Sequence, residues 1–361
     1  MSEDDDIKKR VALLLNWVTL SGKQRYQIQS MLNLNLRVVI QTVDLLGDSH
    51  SVVQSLSGHA SIFIAPKGRV RRLFQAFHMI CESKRGTLLI VPVASKLSFP
   101  ILLVGRLKRL RLIAIEWGDI GEEPSFITKF GMRLCHGISH ATWFKEPFMR
   151  ELLHDLGAKN LFFLPNAVPL SKTDPSATRS IDMLWANRLV SNRSPEEFLK
   201  AVKSIQSYEN FRVVVAGVLS INMCTDITWS RQQKILRTFS DVAEFIPFQP
   251  IENLLRDSKF FVLTGQYVFG NNSVLEAMMA GCVPIVTSSP GLSSLIVDGE
   301  NGLVSRNDAL SIEANLKRAL NMTPEEWLCL SNAARRKVTE SFSVTQWELS
   351  FSKLISLVDG T

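Results

Sequence analysis

A chain of 361 residues, 46% hydrophobic and 21% charged, exceeds what one core usually organises, so two domains are expected, each large enough to need no disulfide staple. Net charge is +7 and lopsided: residues 1–166 carry 22 Lys and Arg against 14 Asp and Glu, whereas 167–361 carry 19 against 20. The five cysteines, Cys81, Cys135, Cys224, Cys282 and Cys329, form no CxxC pair and have no His at ligand spacing, which argues against a metal site and reads as reduced packing residues of a cytosolic protein.

In chain order, "MSEDDDIKKR" is acidic before it is basic, unlike a secretory leader. Short Val/Ile/Leu runs then alternate with amphipathic segments. The strand candidates of the first half are "RVALLLNW", "LRVVIQTV", "ASIFIA", "GTLLIVPV", "LRLIAIEW", "HATWFK" and "NLFFLPN". The longest apolar stretch, "TLLIVPVASKLSFPILLVG", is broken by Lys96 and two prolines, falls short of a membrane span, and reads as two strands or a strand and a helix. Between these runs, "KGRVRRLFQAFHMICESKRG" and "GRLKRLRL" cluster basic residues beside apolar ones. That surface suits an anionic membrane face, a phosphorylated acceptor or a plain solvated helix face; no nucleic-acid partner is expected, because no binding motif accompanies the charge.

His136 and His140 in "CHGISH" have the i, i+4 spacing of a helical metal pair but lack a third ligand, so they are read as structural and no metal is expected. Lys145, at a strand-to-helix junction, is assigned a surface role. The domain boundary falls in "PNAVPLSKTDPSATRSI", where Pro165, Pro169 and Pro175 cannot sustain a helix. The second half supplies the strand candidates "IDMLWAN", "FRVVVAG", "VAEFIPF", "KFFVLT" and "VPIVTS", so both halves read as doubly wound α/β sheets. The tail from about Ser341 has helical period.

Three loops at predicted strand ends carry candidate chemistry. After the first strand, Gly22 permits a tight turn, and the following helix offers its N-terminus and Lys23 to a ligand; "SGKQR" is no P-loop. After "IDMLWAN", Arg188 and Arg193 precede a helix whose Ser194, Pro195 and Glu197 suggest a capping box; two guanidiniums there suit a diphosphate as well as plain solvent. In "VFGNNSVLEAMMAG", Asn272 or Ser273 would cap a helix ended by Gly281. Glu276, placed in the first turn, either complements the helix dipole or accepts hydrogen bonds from a polyol.

Together "NRLVSNR", "PNAV", "NNSVLEAMMAG" followed by "VPIVTSSPG", and "LIVDGENGLV" resemble the retaining GT-B glycosyltransferases of the family-four type, glycosyl transferases group 1. The resemblance spans the second half in order and is densest from Asn272 to Gly302; the first half resembles the family in strand-helix order, the turn at Gly22 and "FFLPNAV". It implies a GT-B architecture, with two Rossmann-like domains facing a cleft. Residues 1–168 would bind the acceptor, 169–340 would hold a nucleoside-diphosphate sugar, and 341–361 would form a helix packing back on the first domain.

By the same resemblance, Arg188 and Arg193 would hold the diphosphate and Glu276 the ribose hydroxyls. Asn271, Asn272 and Ser273 would supply backbone amides to phosphate and sugar oxygens, and Asp119 or Glu116 would contact the reacting sugar. No cofactor is implied beyond the donor substrate. The implied activity is retaining transfer to a glycan or lipid-linked acceptor in surface polysaccharide biosynthesis, in the cytoplasm or on the inner membrane face. Three positions depart from the family pattern: Val268 stands where its first glutamate falls, Asn187 where Gly is usual, and Ser294 where Glu is frequent. These point to altered sugar recognition, and Val268 also supports an alternative, a non-catalytic GT-B protein that binds a nucleotide, glycan or partner enzyme. A nucleotide-sugar epimerase on the same fold is a further rival, disfavoured because the histidines sit outside the motifs.

Overall fold

The structure is a computed structural model. It describes residues 10–15, 22–42, 49–56, 58–66, 68–93, 98–116, 126–171, 178–206, 210–221, 225–266, 272–292 and 294–361. The chain divides into two compact units, residues 1–167 with 344–361, and residues 168–343.

The first unit runs β1 (Val11–Leu15), α1 (Gly22–Asn33), β2 (Arg37–Thr42), α2 (Ser49–Leu56), β3 (Ser61–Ile64), α3 (Arg69–Glu82), β4 (Leu88–Pro92), α4 (Ser98–Leu107), β5 (Arg111–Glu116), α5 (Phe126–Ile138), β6 (Ala141–Phe144), α6 (Met149–Asp155) and β7 (Leu161–Phe163). All seven expected strands form, and "TLLIVPVASKLSFPILLVG" divides into β4 and α4, a strand and a helix. The strands pair in parallel in the order β3-β2-β1-β4-β5-β6-β7. Both faces are covered, which is why the central strands are continuous apolar runs rather than alternating ones. One face packs Ile28 and Met31 of α1 and Leu56 of α2. The other packs Ala76 and Ile80 of α3, Ile101 and Leu102 of α4, Met132 of α5 and Met149 of α6.

The second unit runs β8 (Ile181–Ala186), a 3-10 turn (Ser191–Arg193), α7 (Pro195–Gln206), β9 (Val213–Val218), α8 (Asp226–Phe239), β10 (Glu244–Pro247), α9 (Glu252–Arg256), β11 (Ser258–Leu263), α10 (Asn272–Met279), β12 (Val283–Thr287), β13 (Leu303–Ser305), α11 (Ala309–Leu320) and α12 (Pro324–Phe342). Its parallel sheet has the order β10-β9-β8-β11-β12-β13. Sequence reasoning missed β13, where only Leu303 and Val304 are apolar between Gly302 and Ser305, too short an apolar run to register.

Helices α7, α8 and α11 pack on one face, through residues such as Phe198, Ile235 and Leu316. Helices α9, α10 and α12 pack on the other, through residues such as Leu255, Met278 and Val338. A buried arginine supports this second layer: the Arg179 guanidinium donates to the carbonyls of Leu255 (3.1 Å), Ser258 (2.6 Å) and Ala280 (2.8 Å), and lies 5.2 Å from the Trp327 ring. Two of these carbonyls belong to the last turn of α9 and the residue after α10, where backbone acceptors lack intrahelical partners.

The final helix, α13 (Val344–Asp359), belongs to the first unit. It buries Trp347, Phe351, Leu354 and Val358 on the α1 side of that sheet. Trp347 stacks on Phe351 at 4.8 Å and meets Trp143 of β6 edge-on at 5.8 Å. Its far end is clamped: the Asp359 carboxylate accepts two hydrogen bonds from Arg10, at 2.7 and 2.8 Å, and Arg111 donates to the Asp359 carbonyl at 3.1 Å.

The cysteine reading holds in part. Cys135 and Cys282 are buried, and burial pushes both thiols up to about 12, so neither is a nucleophile at neutral pH. Cys81 and Cys329 are exposed rather than packed, because each faces outward from its helix; Cys224 lies outside the described residues.

Candidate functional site

In the second sheet β8 and β11 are neighbours. The connection leaving β8 runs through α7 on one face, and that leaving β11 through α10 on the other. The crevice beyond the carboxyl ends of two such strands is where open α/β sheets bind ligands. The loop after β8 carries Arg188 and Arg193, and the helix after β11 carries Asn272, Ser273 and Glu276. The two candidate groups, separated by about eighty positions in sequence, thus flank one switch point.

Each loop is held from beneath. Asn187 turns its side-chain oxygen back to accept from the Arg188 amide at 2.8 Å, while Arg188 itself is exposed. The Asn187 carbonyl lies against Gly217 of β9, where φ is +140° and any Cβ would collide with it, so only glycine lets β8 end this close to its neighbour. Arg193 is half-buried, and its carbonyl accepts from the Thr264 hydroxyl at 2.6 Å. Thr264, one residue beyond β11, also accepts from the Trp185 indole at 3.2 Å, and Thr287 at the end of β12 donates to the Gly265 carbonyl at 2.8 Å. Trp185, Thr264 and Thr287 were missed as positioning residues. A polar residue ending each apolar strand was the available signal.

The expected capping box at Ser194 and Glu197 does not form. Ser194 is left-handed at φ +43°, which turns its side chain away from the helix start, and its hydroxyl accepts from Asn307 at 3.0 Å. Glu197 instead accepts from the Ala309 amide at 3.2 Å, capping α11, and pairs with Lys200 at 2.7 Å. The loop bearing the arginines is therefore braced against α11.

Helix α10 starts at Asn272, so Asn271, its flanking residue, lies outside the described residues, as does Val268. Glu276 is the fifth helical residue, just past the first turn in which it was expected, because the helix already includes Asn272, and α10 has no acidic residue in its first turn. Dipole complementation falls off beyond that turn, which weakens the purely structural reading of this half-buried carboxylate. Asn272 is 6% exposed, and neither side-chain polar atom finds a hydrogen-bond partner among the described residues. A buried amide in this state can take a bound hydroxyl or phosphate oxygen. The helix ends as expected: Gly281 is left-handed at φ +82°, and the Gly281 and Cys282 amides donate to the Met278 and Ala277 carbonyls at 3.0 and 2.9 Å.

In the first unit Gly22 opens α1 with Lys23 second, but their side chains lie outside the described residues, as does Asp119. Glu116 is described and buried: His136 donates from Nε2 to its carboxylate at 3.1 Å and meets the Thr142 hydroxyl at 3.0 Å through Nδ1. Such a Glu116 is a core anchor for β5 and α5. His140 faces elsewhere, accepting the Leu112 amide at Nδ1 (2.9 Å) beside Arg106, so the two histidines are structural and do not converge on a metal. No metal-binding group occurs among the described residues.

Lys145 corrects its surface assignment. It is 4% exposed, donates to Asn166 Oδ1 at 2.8 Å and lies 5.4 Å from the Trp143 ring. Asn166 also accepts from Gln27 of α1 at 3.3 Å. The residues following β6 and β7 and the middle of α1 thus close over one another at the carboxyl edge of the first sheet.

Residues 171–337 match the family model described as glycosyl transferases group 1, which spans most of the 168–343 unit. The second unit is a glycosyl transferases group 1 domain. No curated protein matches the chain. Solved structures match it nearly end to end at low identity. A glycosyltransferase from Rickettsia africae is 13% identical with a TM-score of 0.79, covering 97% of this chain and 99% of that one. Anabaena HepE in complex with UDP is 13% identical at 0.77, covering 96% and 99%. Staphylococcus aureus TarM, in complex with UDP, fondaparinux and alpha-GlcNAc-glycerol, is 10% identical at 0.72, covering 96% and 99%. The chain as a whole shares the GT-B fold of these structures, and the arginine loop and α10 lie inside the segment that matches the family.

Proposed function

We propose that the protein transfers a sugar, with retention of anomeric configuration, from a nucleoside-diphosphate sugar to a glycan or lipid-linked acceptor in surface polysaccharide biosynthesis of the lipopolysaccharide, O-antigen or capsule type. The observation that supports this reading is that the loop carrying Arg188 and Arg193 and the helix α10 follow the neighbouring strands β8 and β11. Two guanidiniums there neutralise a departing diphosphate, which lowers the barrier without a strong protein base while an acceptor hydroxyl approaches the same face. Glu276 takes the ribose hydroxyls; Asn271, Asn272 and Ser273 take phosphate and sugar oxygens. The first unit receives the acceptor, with Gly22, Lys23 and Asp119 at its strand ends, and its basic surface works at the inner face of the cytoplasmic membrane. UDP in HepE and TarM supports a uridine nucleotide as the first donor to try.

The test is a thermal-shift screen of UDP, GDP, ADP and CDP sugars. A ligand that binds only the folded state at a hundred times its Kd stabilises by about 2.7 kcal/mol, a shift of several degrees. Stabilisation by one nucleotide class, lost in Arg188→Ala, is the expected result; no stabilisation by any class refutes the donor site. Retention is then read from the anomeric signal of the product by NMR.

A further inference from the structure

Helices α3, α4 and α5 lie side by side over one face of the first sheet and bury a common set of residues against it. Their outward side is unusually apolar. Val70 and Phe74 on α3 are 66% and 69% exposed, Leu103 on α4 is 40% exposed, and Phe126, Ile127 and Phe130 on α5 are 83%, 74% and 56% exposed. Val70 and Phe74 are one helical turn apart, as are Phe126 and Phe130, so each helix presents a stripe rather than scattered residues. Single exposed apolar residues need no explanation; stripes on neighbouring helices mark an interaction surface.

Charge identifies the occupant. The three helices carry Arg69, Arg71, Arg72, Arg106, Lys129 and Arg133 against one acid, Glu82. Arg69 and Arg71 are exposed and directly flank Val70, and Arg133 is exposed one turn beyond Phe130. Aromatic and aliphatic side chains bordered by cations are what a bilayer with anionic headgroups accepts: the rings enter the headgroup boundary while guanidiniums meet phosphates. We propose that the α3–α5 face of the first unit docks on an anionic lipid bilayer. This deepens the membrane part of the functional reading, and it fixes which side of the first unit faces the lipid.

The experiment uses the full chain in vesicle co-sedimentation, with phosphatidylcholine alone or mixed with phosphatidylglycerol, and three variants, Phe74→Glu, Phe126→Glu and Arg69→Glu/Arg71→Glu. All four positions are exposed, and melting temperature checks that each variant folds. Wild type should partition at least tenfold more strongly onto anionic vesicles, more weakly as salt rises, and each variant should lose tenfold or more. Equal binding to both vesicle types, no binding, or variants that bind like wild type would overturn the proposal. So would a lipid-free dimer, seen by light scattering, that Phe74→Glu makes monomeric, since the face would then belong to a second copy. Nucleotide stabilisation measured on the same variants is independent of this face, so failure here and failure of the donor site are told apart.

Discussion

Among single residues, Glu276 carries the sharpest expectation. Its carboxylate sits past the first turn of α10, where a dipole role is weak, and beside a buried amide with no described partner. Charge-assisted hydrogen bonds to hydroxyls contribute about 1.5–3 kcal/mol each. Glu276→Ala should therefore weaken nucleotide binding roughly ten- to a hundredfold by calorimetric titration, with little change in melting temperature; a stability collapse would return it to a packing role.

His140 gives a pH signature. Burial, then the nearby Arg106 and Arg111, lower its pKa from the ordinary 6.5 to about 4, and protonation at Nδ1 would also set a donor against the Leu112 amide. The unfolded chain thus binds the proton more readily, so this contribution is present above pH 6.5 and lost as pH falls towards 4. The melting temperature of wild type should drop between pH 7 and 5 by more than that of His140→Gln; parallel curves would show that His140 does not govern the acid sensitivity. Composition could place neither this histidine nor Lys145. Whether a polar residue at a strand end is wet or covered depends on what the next loop brings over it, here Asn166 from twenty-one positions away.

Elements show why some features were legible and others not. Strands announced themselves because a parallel sheet buried on both faces needs unbroken Val/Ile/Leu runs, and "GTLLIVPV" or "FRVVVAG" can hardly be anything else. The stop at Gly281 was equally local. The Ser194–Glu197 box failed because both side chains found partners more than a hundred positions away, Asn307 and Ala309, which no window of sequence contains. The switch point was legible only through family motifs, since strand order is not written in any one segment.

Arg179 belongs to the same class: it ties the end of α9 to the end of α10 through three buried carbonyls. Arg179→Met fills similar volume but removes the guanidinium donor from all three, leaving only the weak Cys282 thiol beside the Leu255 and Ser258 carbonyls. The expected cost is roughly 3 kcal/mol or more by urea denaturation, together with weaker nucleotide binding as α10 shifts. A change under about 1 kcal/mol would show that water replaces the guanidinium.

For the molecule as a whole, the two units differ in how the chain is spent. Residues 168–343 are continuous, whereas the first unit is interrupted and completed by 344–361. No helix among the described residues is long and apolar enough to cross a membrane. Deleting 344–361 would uncover Trp143 and the core around Ile28 and Met31. That variant should bind a hydrophobic dye and lose the first unit's cooperative transition, while nucleotide still protects the second unit from hydrogen exchange. Full solubility and an unchanged transition would show α13 to be dispensable.

The placement of α13 also orders events during synthesis. The segment 168–343 is made as one continuous stretch and needs nothing from 344–361, so the domain made later can close its core without waiting for α13. The first unit, begun earliest, must wait with the Trp143 side of its sheet uncovered until Trp347 and Phe351 arrive and Arg10 can grip Asp359. A released chain ending before residue 344 would be a better client for chaperones than one that includes Asp359.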